Sequence, residues 1–203
     1  MQDKIIQLGD PVLRQNARML SLDEIKKSST QNLIEVMKEV MRKAPGVGLA
    51  APQIGISRQL AVIEDTEERR LGMDSQFLQE RGIKPIKFHV IINPVITTIS
   101  KAKKLFFESC LSVCGKSRVT PRAESVEVKC LDEKGNERII KASGWYARIL
   151  QHEIDHLNGN LYIDIADKRT ELINDDPNSQ VLLKASEKEI KRFYDLSLMN
   201  NLF

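Results

Sequence analysis

The chain has 203 residues, enough for one domain with a substantial core and too few for two comfortable domains. Hydrophobic residues make up 41% of it and charged residues 29%, which is ordinary for a soluble globular protein. The net charge of +3, from 31 basic and 28 acidic residues, is too balanced to indicate nucleic-acid binding, and no apolar segment approaches the roughly 18–20 residues of a membrane-spanning helix.

Residues 1–11, MQDKIIQLGDP, lack the basic lead and the apolar core of a secretory signal peptide. The three cysteines, Cys110, Cys114 and Cys130, are odd in number and match no secreted disulfide framework. Both features predict a cytoplasmic location, because a reducing compartment leaves thiols free to act as ligands or nucleophiles.

The first half of the chain predicts one helix and two strands. Ser21–Glu24 (SLDE) has the spacing of a capping box, and apolar residues then recur at helical spacing to about Lys43. Residues 58–65 and 87–94 have the pattern of buried strands. The charged, glycine-containing segment 66–86 between them predicts a surface insertion.

The second half predicts an antiparallel hairpin followed by helices. Residues 124–143 alternate in polarity on either side of a turn sequence, which is typical of a β-hairpin. We expect a helix over 144–157, a short strand over 161–164, a loop over 166–180 and a last helix over roughly 181–198. Antiparallel strands combined with a few helices give the α+β class.

The sequence QHEIDHLNG places two histidines on one face of the helix predicted over 144–157. His152 and His156 are four residues apart, so both rings can reach one metal ion. Glu153 projects about 100° further around the helix, where it can act as a general base. Trp145 and Ile149 share the histidine face and could line a pocket beside the metal.

Two histidines do not complete a catalytic metal site, which usually has three protein ligands. Asp164 and Glu171 are carboxylate candidates, although neither lies on an evident second helix. Cys110 is a thiolate candidate, but its apolar neighbours are equally typical of a small buried residue. Cys114 and Cys130 are weaker candidates. Spacing alone leaves the third ligand open.

Three stretches together resemble the signature motifs of the peptide deformylase family. They are GVGLAAPQIG at 46–55, ESCLSV at 108–113 and QHEIDHLNG at 151–159, in the order and spacing of the family. The resemblance covers about residues 5–165 and leaves 166–203 as a C-terminal extension. Ser109 stands where the family pattern has glycine, which predicts that its φ angle is negative or that some strain is tolerated.

The resemblance implies a role for each motif residue. Three metal ligands are implied, namely Cys110, His152 and His156. Glu153 is implied as the general acid and base, and Gln53 with the backbone N–H of Leu111 as the group that holds the oxyanion. The implied cofactor is one divalent metal ion, Fe(II) first, with Zn, Ni or Co as possible replacements.

The resemblance also implies a single catalytic domain over residues 1–203. Antiparallel or mixed β-sheets are expected to wrap around the central metal-binding helix at about 145–157, with a helix at the C-terminus. Six residues are expected at the substrate site: Val47, Gly48, Phe106, Glu108, Trp145 and Ile149. Of these, Glu108 is expected to support the Cys110 segment. Arg118 and Arg148 are expected either to partner Glu108 or to anchor the peptide.

The implied activity is hydrolysis of the N-formyl group from the formyl-methionine of newly made polypeptides. The implied partners are these nascent peptides and the ribosome. Two alternatives remain at this stage. A general H-E-x-x-H metallopeptidase would cleave internal bonds of unformylated peptides. A non-catalytic relative would use the same fold to bind peptide or ribosome, and the serine at position 109 keeps this alternative open.

Overall fold

A computed structural model describes residues 4–199, except the side chains of residues 178, 180, 181 and 196–199. The ends of the predicted 1–203 domain, residues 1–3 and 200–203, lie outside the described residues. Within the described range, every helix is too short or too polar to cross a membrane.

Two antiparallel sheets form the β part of the described fold, and the predicted α+β class is confirmed. The strands are β1 (Gly48–Ala50), β2 (Leu60–Asp65), β3 (Ile86–Ile99), β4 (Lys103–Cys110), β5 (Val113–Ala123), β6 (Ser125–Leu131), β7 (Glu137–Ser143) and β8 (Leu172–Ile173). The larger sheet has the order β1-β2-β3-β6-β7, and the smaller sheet has the order β4-β5-β8.

The helices are α1 (Leu22–Lys26), α2 (Ser28–Lys43), α3 (Ser75–Arg81), α4 (Gly144–Leu157), α5 (Pro177–Leu183) and α6 (Glu187–Met199). The predicted capping box is confirmed: Ser21 accepts a hydrogen bond from the backbone of Glu24, whose carboxylate returns to Ser21. The single helix predicted after it is wrong. Lys27 is extended and separates α1 from α2, and the side chains of Thr30 and Gln31 bind carbonyls of α1.

The sequence patterns located four of the five strands of the larger sheet, all but β1, and none of the smaller one. Strands β2 and β3 include the predicted segments 58–65 and 87–94 in large part, and the hairpin β6–β7 is confirmed. The long pair β4–β5 was not predicted. Its buried positions include Glu108, Ser117 and Arg122 among the apolar residues, so its pattern does not resemble that of a core strand.

The region after α4 differs from the sequence predictions. Residues 161–164 contain a 3-10 helix rather than a strand, because Asp164 accepts a hydrogen bond from the backbone N–H of Leu161 at 2.7 Å. The predicted loop 166–180 contains β8, which pairs with β5.

The predicted C-terminal helix is present as α6, but it starts later than the sequence pattern indicated. The segment 181–198 contains the end of α5 and most of α6. Ser186 explains the break, because its hydroxyl and backbone N–H both bind the carboxylate of Glu189 and so cap α6.

Helix α4 lies at the centre of the molecule. Ala147, Leu150, Ile154 and Leu157 form its core face and are buried against residues of the larger sheet. The helix also contacts β1, β2 and β5, so residues on its other faces meet both sheets. Burial on several sides holds this helix in a fixed orientation relative to the strands.

Leu150→Ala tests the contribution of this packing. Leu150 is fully buried, so we expect its truncation to lower the free energy of unfolding by about 2–5 kcal/mol. Leu71→Ala is the matched control, because Leu71 is 81% exposed and its loss should change stability by less than about 0.5 kcal/mol. Urea unfolding measures both; similar values for the two variants would contradict a central packing role for α4.

Candidate metal centre and active site

Cys110, His152 and His156 meet between the end of β4 and the middle of α4. The two histidines lie one helical turn apart. Cys110 Sγ is 3.2 Å from His156 Nε2, which is 3.2 Å from His152 Nε2. All three ligand atoms lie within 4.8 Å of one another. Among the described residues, this trio is the one group of metal-binding side chains that meets at a single point.

The donor set of this cluster fits a divalent transition metal. One thiolate and two imidazoles suit ions such as Fe(II) and Zn(II). Burial lowers the pKa of His156 well below its usual value, which keeps a ring nitrogen unprotonated. Burial would also lower the pKa of His152, but the Cys110 thiolate and the Glu108 carboxylate raise it well above the usual value. The same negative charges that favour a proton on His152 would favour a metal cation in its place.

Glu108 holds the metal-binding helix against the smaller sheet. Its buried carboxylate is 2.6 Å from His152 Nδ1, and it accepts hydrogen bonds from Arg122 Nη2 and Arg148 Nη1, both at 2.7 Å. Burial alone would raise the pKa of Glu108, but Arg122 and His152 hold it well below the usual value. Because ionised Glu108 accepts the Nδ1 proton of His152, the lone pair of Nε2 is available for a metal.

Glu153 lies beside the histidines, against strand β1. A Cβ atom on Gly48 would lie 2.2 Å from Glu153 Oε1, so the carboxylate occupies the space of the missing side chain. Burial raises the pKa of Glu153 to about 7. A carboxyl group with this pKa can accept and return a proton near neutral pH.

Gln53 presents its amide nitrogen toward the cysteine ligand. Its Oε1 accepts a hydrogen bond from the backbone N–H of Ala50 at 2.9 Å, which fixes the amide orientation. Its Nε2 is therefore the donor, 3.7 Å from Cys110 Sγ and 3.2 Å from Ser112 Oγ. The side chain is 2% exposed and held in place before any ligand binds.

A cavity of about 560 Å³ lies in front of the cluster, within the range of small-ligand sites. Cys110, His152, Glu153 and Glu108 line it. The other predicted site residues in its wall are Val47, Gly48, Gln53, Leu111, Trp145 and Ile149. Its lining is more apolar than polar.

Phe106 is not among the residues that line this cavity, and its place at the substrate site stays a prediction. Phe106 is buried with Val119 and Ile190 in a separate cluster, against which Phe107 also packs. Its neighbour Phe107 lines the cavity instead. The sequence pair Phe-Phe could not show which ring faces the site, because β4 itself was not predicted.

Trp145 is held in the cavity wall by a buried ion pair that the sequence did not reveal. Its Nε1 donates a hydrogen bond to the Asp65 carboxylate at 3.0 Å, and Asp65 pairs with Arg70 at 3.2 Å. Arg70 belongs to the segment 66–86. That segment is therefore more than a surface insertion, because its Arg70 helps to hold Trp145 in the cavity wall.

The other candidates for the third ligand lie elsewhere. Asp164 pairs with an arginine near the N-terminus at 2.5 Å, and Glu171 pairs with Arg118. Cys130 is packed in the main core. Cys114 lines the cavity but is exposed and is not part of the cluster.

The structure bears on two predictions for the segment around the cysteine ligand, namely the arginine partners of Glu108 and the φ angle of Ser109. Arg148 is a partner of Glu108, whereas Arg118 is not, and the second partner, Arg122, was missed. Arg122 lies four positions after Arg118 in β5 and so on the same face of the strand, which can be deduced only once the strand is known. Ser109 has no positive φ angle, as predicted, since the described non-glycine residue with positive φ is Asn93.

The sequence model of the family described as Polypeptide deformylase matches residues 2–171. The chain belongs to the polypeptide deformylase family. Members of this family are metal-dependent, in agreement with the Cys/His/His cluster. Peptide deformylase 1A, chloroplastic, of Solanum lycopersicum is 46% identical to the chain over 166 residues. The alignment covers 82% of this chain and 60% of that protein, so the chain spans about three-fifths of that relative's length.

Solved deformylase structures share the fold. The peptide deformylase from Synechococcus elongatus in complex with actinonin has a TM-score of 0.68 and 38% identity, covering 82% of this chain and 79% of that one. The Met-Ala-Ser-bound class I type b peptide deformylase from Acinetobacter baumannii has a TM-score of 0.70 and 30% identity, covering 79% and 96%. The arrangement of α4 and its sheets is thus a deformylase fold.

Glu108→Gln tests the support of His152. We expect it to weaken metal binding about 10–100-fold, because the variant loses the carboxylate that orients the imidazole. Competition between the protein and a chelator for Co(II) or Zn(II) measures the affinity.

Glu137→Gln is the matched control, since the Glu137 side chain is 71% exposed on β7. Circular dichroism verifies that both variants are folded. Unchanged metal affinity in folded Glu108→Gln protein would refute the role of Glu108.

Proposed function

We propose that the chain is a metal-dependent hydrolase that removes the formyl group from the N-terminal formyl-methionine of new polypeptides and releases formate. The observation that carries this proposal is the meeting of Cys110, His152 and His156 beside the carboxyl group of Glu153 in one cavity of a deformylase fold. The Gln53 amide, fixed at the same place, adds a donor for developing negative charge.

Cys110, His152 and His156 are the proposed ligands of one divalent metal ion. When bound, such an ion supplies Lewis-acid activation of water and of the formyl carbonyl. Fe(II) is the proposed native ion, and Zn, Ni or Co are proposed replacements, because the thiolate and imidazole donors accept all of them. Glu108 keeps His152 in the tautomer that this role requires.

Glu153 is the proposed general base and acid. It takes a proton from the attacking water and later gives it to the methionine nitrogen as the C–N bond of the formamide breaks. The products are formate and a free amino group. The buried position of Glu153, which raises its pKa to about 7, suits both proton transfers.

Gln53 and Leu111 are the proposed donors to the oxyanion of the tetrahedral intermediate. Gln53 Nε2 already points toward the cysteine ligand, so it needs no reorganisation when charge develops. Leu111 follows that ligand directly, lines the cavity, and is held by a hydrogen bond from Gln7 to its carbonyl at 2.9 Å.

Val47, Trp145 and Ile149 form the proposed wall for the methionine side chain. They line the cavity on the side of β1 and α4, where apolar and aromatic contacts suit a polarisable thioether. Gly48 is the proposed close-approach position at the same strand. Phe107 replaces Phe106 in this proposal, because it is the ring of β4 that faces the cavity.

The proposed partners are N-formylated nascent peptides and, during translation, the ribosome; neither DNA nor a membrane is proposed. The tripeptide Met-Ala-Ser is bound in the Acinetobacter baumannii structure, which supports a peptide ligand for this chain as well. The cytoplasmic location stays a prediction. The name of the tomato relative places that protein in the chloroplast.

The alternatives receive less support. A general metallopeptidase has no need of the Cys110 thiolate in its ligand set, and family membership favours the deformylase. A non-catalytic relative has no need of a buried carboxyl group with a pKa of about 7 beside the histidines. Activity on formylated and unformylated peptides distinguishes the three functions.

Glu153→Gln is the first catalytic test. Anaerobic protein loaded with Fe(II), or Ni(II)-loaded protein, should release formate from formyl-Met-Ala-Ser. The variant should lower kcat by about 10²–10⁴-fold with metal content unchanged, because only proton transfer is lost.

Glu35→Gln on the exposed face of α2 is the control and should retain full activity. A fully metal-loaded wild-type protein that releases no formate would overturn the proposed function. Cleavage of internal bonds in an unformylated peptide would support a general peptidase.

Gly48→Ala tests the space that Glu153 occupies. The added Cβ would displace the carboxylate, so we expect kcat to fall about 10²-fold while the metal content stays the same. We expect the combination with Glu153→Asp, whose shorter side chain reduces the overlap, to add little to the effect of Glu153→Asp alone. Fully additive losses would show that Gly48 acts by another route.

A further inference from the structure

Three side chains connect the rim of the catalytic cavity to the C-terminal extension. The hydroxyl groups of Ser109 and Ser117 are hydrogen-bonded across the β4–β5 pair. Ser117 donates in turn to Oδ1 of Asn174 at 2.6 Å. Ser109 and Asn174 both line the cavity, whereas Ser117 is fully buried behind them. We refer to these residues as the serine–asparagine chain.

The two ends of this chain are features that the deformylase motifs do not supply. Ser109 stands at the glycine position of the motif around Cys110. Asn174 lies beyond residue 171, where the match to the family model ends. Strand β8 brings Asn174 into place, because Leu172 and Ile173 pair with β5 and the Asn174 N–H donates to Gly115 O at 2.9 Å.

The hydrogen bonds of the serine–asparagine chain all donate in the same direction, from Ser109 towards Asn174. Since the Ser117 hydroxyl donates to Asn174, its oxygen is left to accept the proton of Ser109. The Ser109 proton therefore points away from the cavity. The Ser109 oxygen is left as an acceptor at an exposed position directly before the cysteine ligand.

We propose that Ser109 is a specificity-determining residue, which accepts a hydrogen bond from an N–H or hydroxyl donor of the peptide beyond its methionine. Asn174 is a positioning residue, because it acts through Ser117 on the Ser109 hydroxyl. A peptide has an N–H at each successive residue, and a cavity of about 560 Å³ has room for more than the formyl-methionine. This inference rests on the proposed function.

The test compares two substrates of metal-loaded protein. Formyl-Met-Ala-Ser has donors beyond methionine, whereas formyl-methionine methyl ester has none. We expect Ser109→Gly to raise KM for the tripeptide about three- to tenfold with little change in kcat, and to leave KM for the ester unchanged. Ser109→Thr, which keeps the hydroxyl, should restore most of the tripeptide affinity.

The role of Asn174 is tested by coupling. Asn174→Ala should raise KM for the tripeptide, and the double variant with Ser109→Gly should be no worse than Ser109→Gly alone. Ile173→Ala is the matched control, because this neighbouring side chain in β8 is 63% exposed and does not belong to the serine–asparagine chain. Additive losses, equal losses on both substrates, or no loss on the tripeptide would each overturn the proposal.

A calorimetric titration separates this inference from the proposed function. The product Met-Ala-Ser is titrated into the same metal-loaded wild-type and variant proteins, with methionine as the reference ligand. Weaker binding of Met-Ala-Ser to Ser109→Gly supports the acceptor role even if the wild type releases no formate. Equal binding to both proteins rejects it, even if the wild type is an active deformylase.

Discussion

The buried carboxylate of Glu108 is the interaction on which the rest of the site depends. It lies two residues before the cysteine ligand on β4, and it binds Arg122 of β5 together with Arg148 and His152 of α4. Removing one partner from such a buried charge network typically costs about 3–5 kcal/mol, because the remaining charges are left unpaired. One carboxylate therefore fixes the distance between the thiolate and the imidazoles, and also the tautomer of His152.

Helix α4 converts this fixed geometry into a site for chemistry, and the sequence allowed much of it to be predicted. Spacing four apart places His152 and His156 on one face wherever a helix forms, and the position of Glu153 follows from the same periodicity. The role of Gly48 could be assigned only from the fold. Only the packing of β1 on α4 shows that the Glu153 carboxylate fills the space where a side chain would lie.

Strands β4 and β5 could not be predicted because polar residues fill buried positions where the sequence pattern expects apolar ones. Strands β4 and β5 bury Glu108 and Arg122 against each other, so hydrophobic alternation did not reveal them. Without those strands the facing directions of Phe106 and Phe107 could not be assigned. The pairing of β8 with β5 is a long-range contact, which local turn signals after residue 166 do not encode.

The absorption spectrum of the Co(II)-loaded protein tests the central claim most directly, which is that Cys110 and the two histidines of α4 hold one ion. The account predicts a thiolate-to-cobalt charge-transfer band in the wild type at one equivalent of Co(II). The band should be lost in Cys110→Ser and retained in Cys114→Ser, whose thiol lines the same cavity outside the cluster. A band that persists in Cys110→Ser, or disappears in Cys114→Ser, would contradict the assignment of the metal centre.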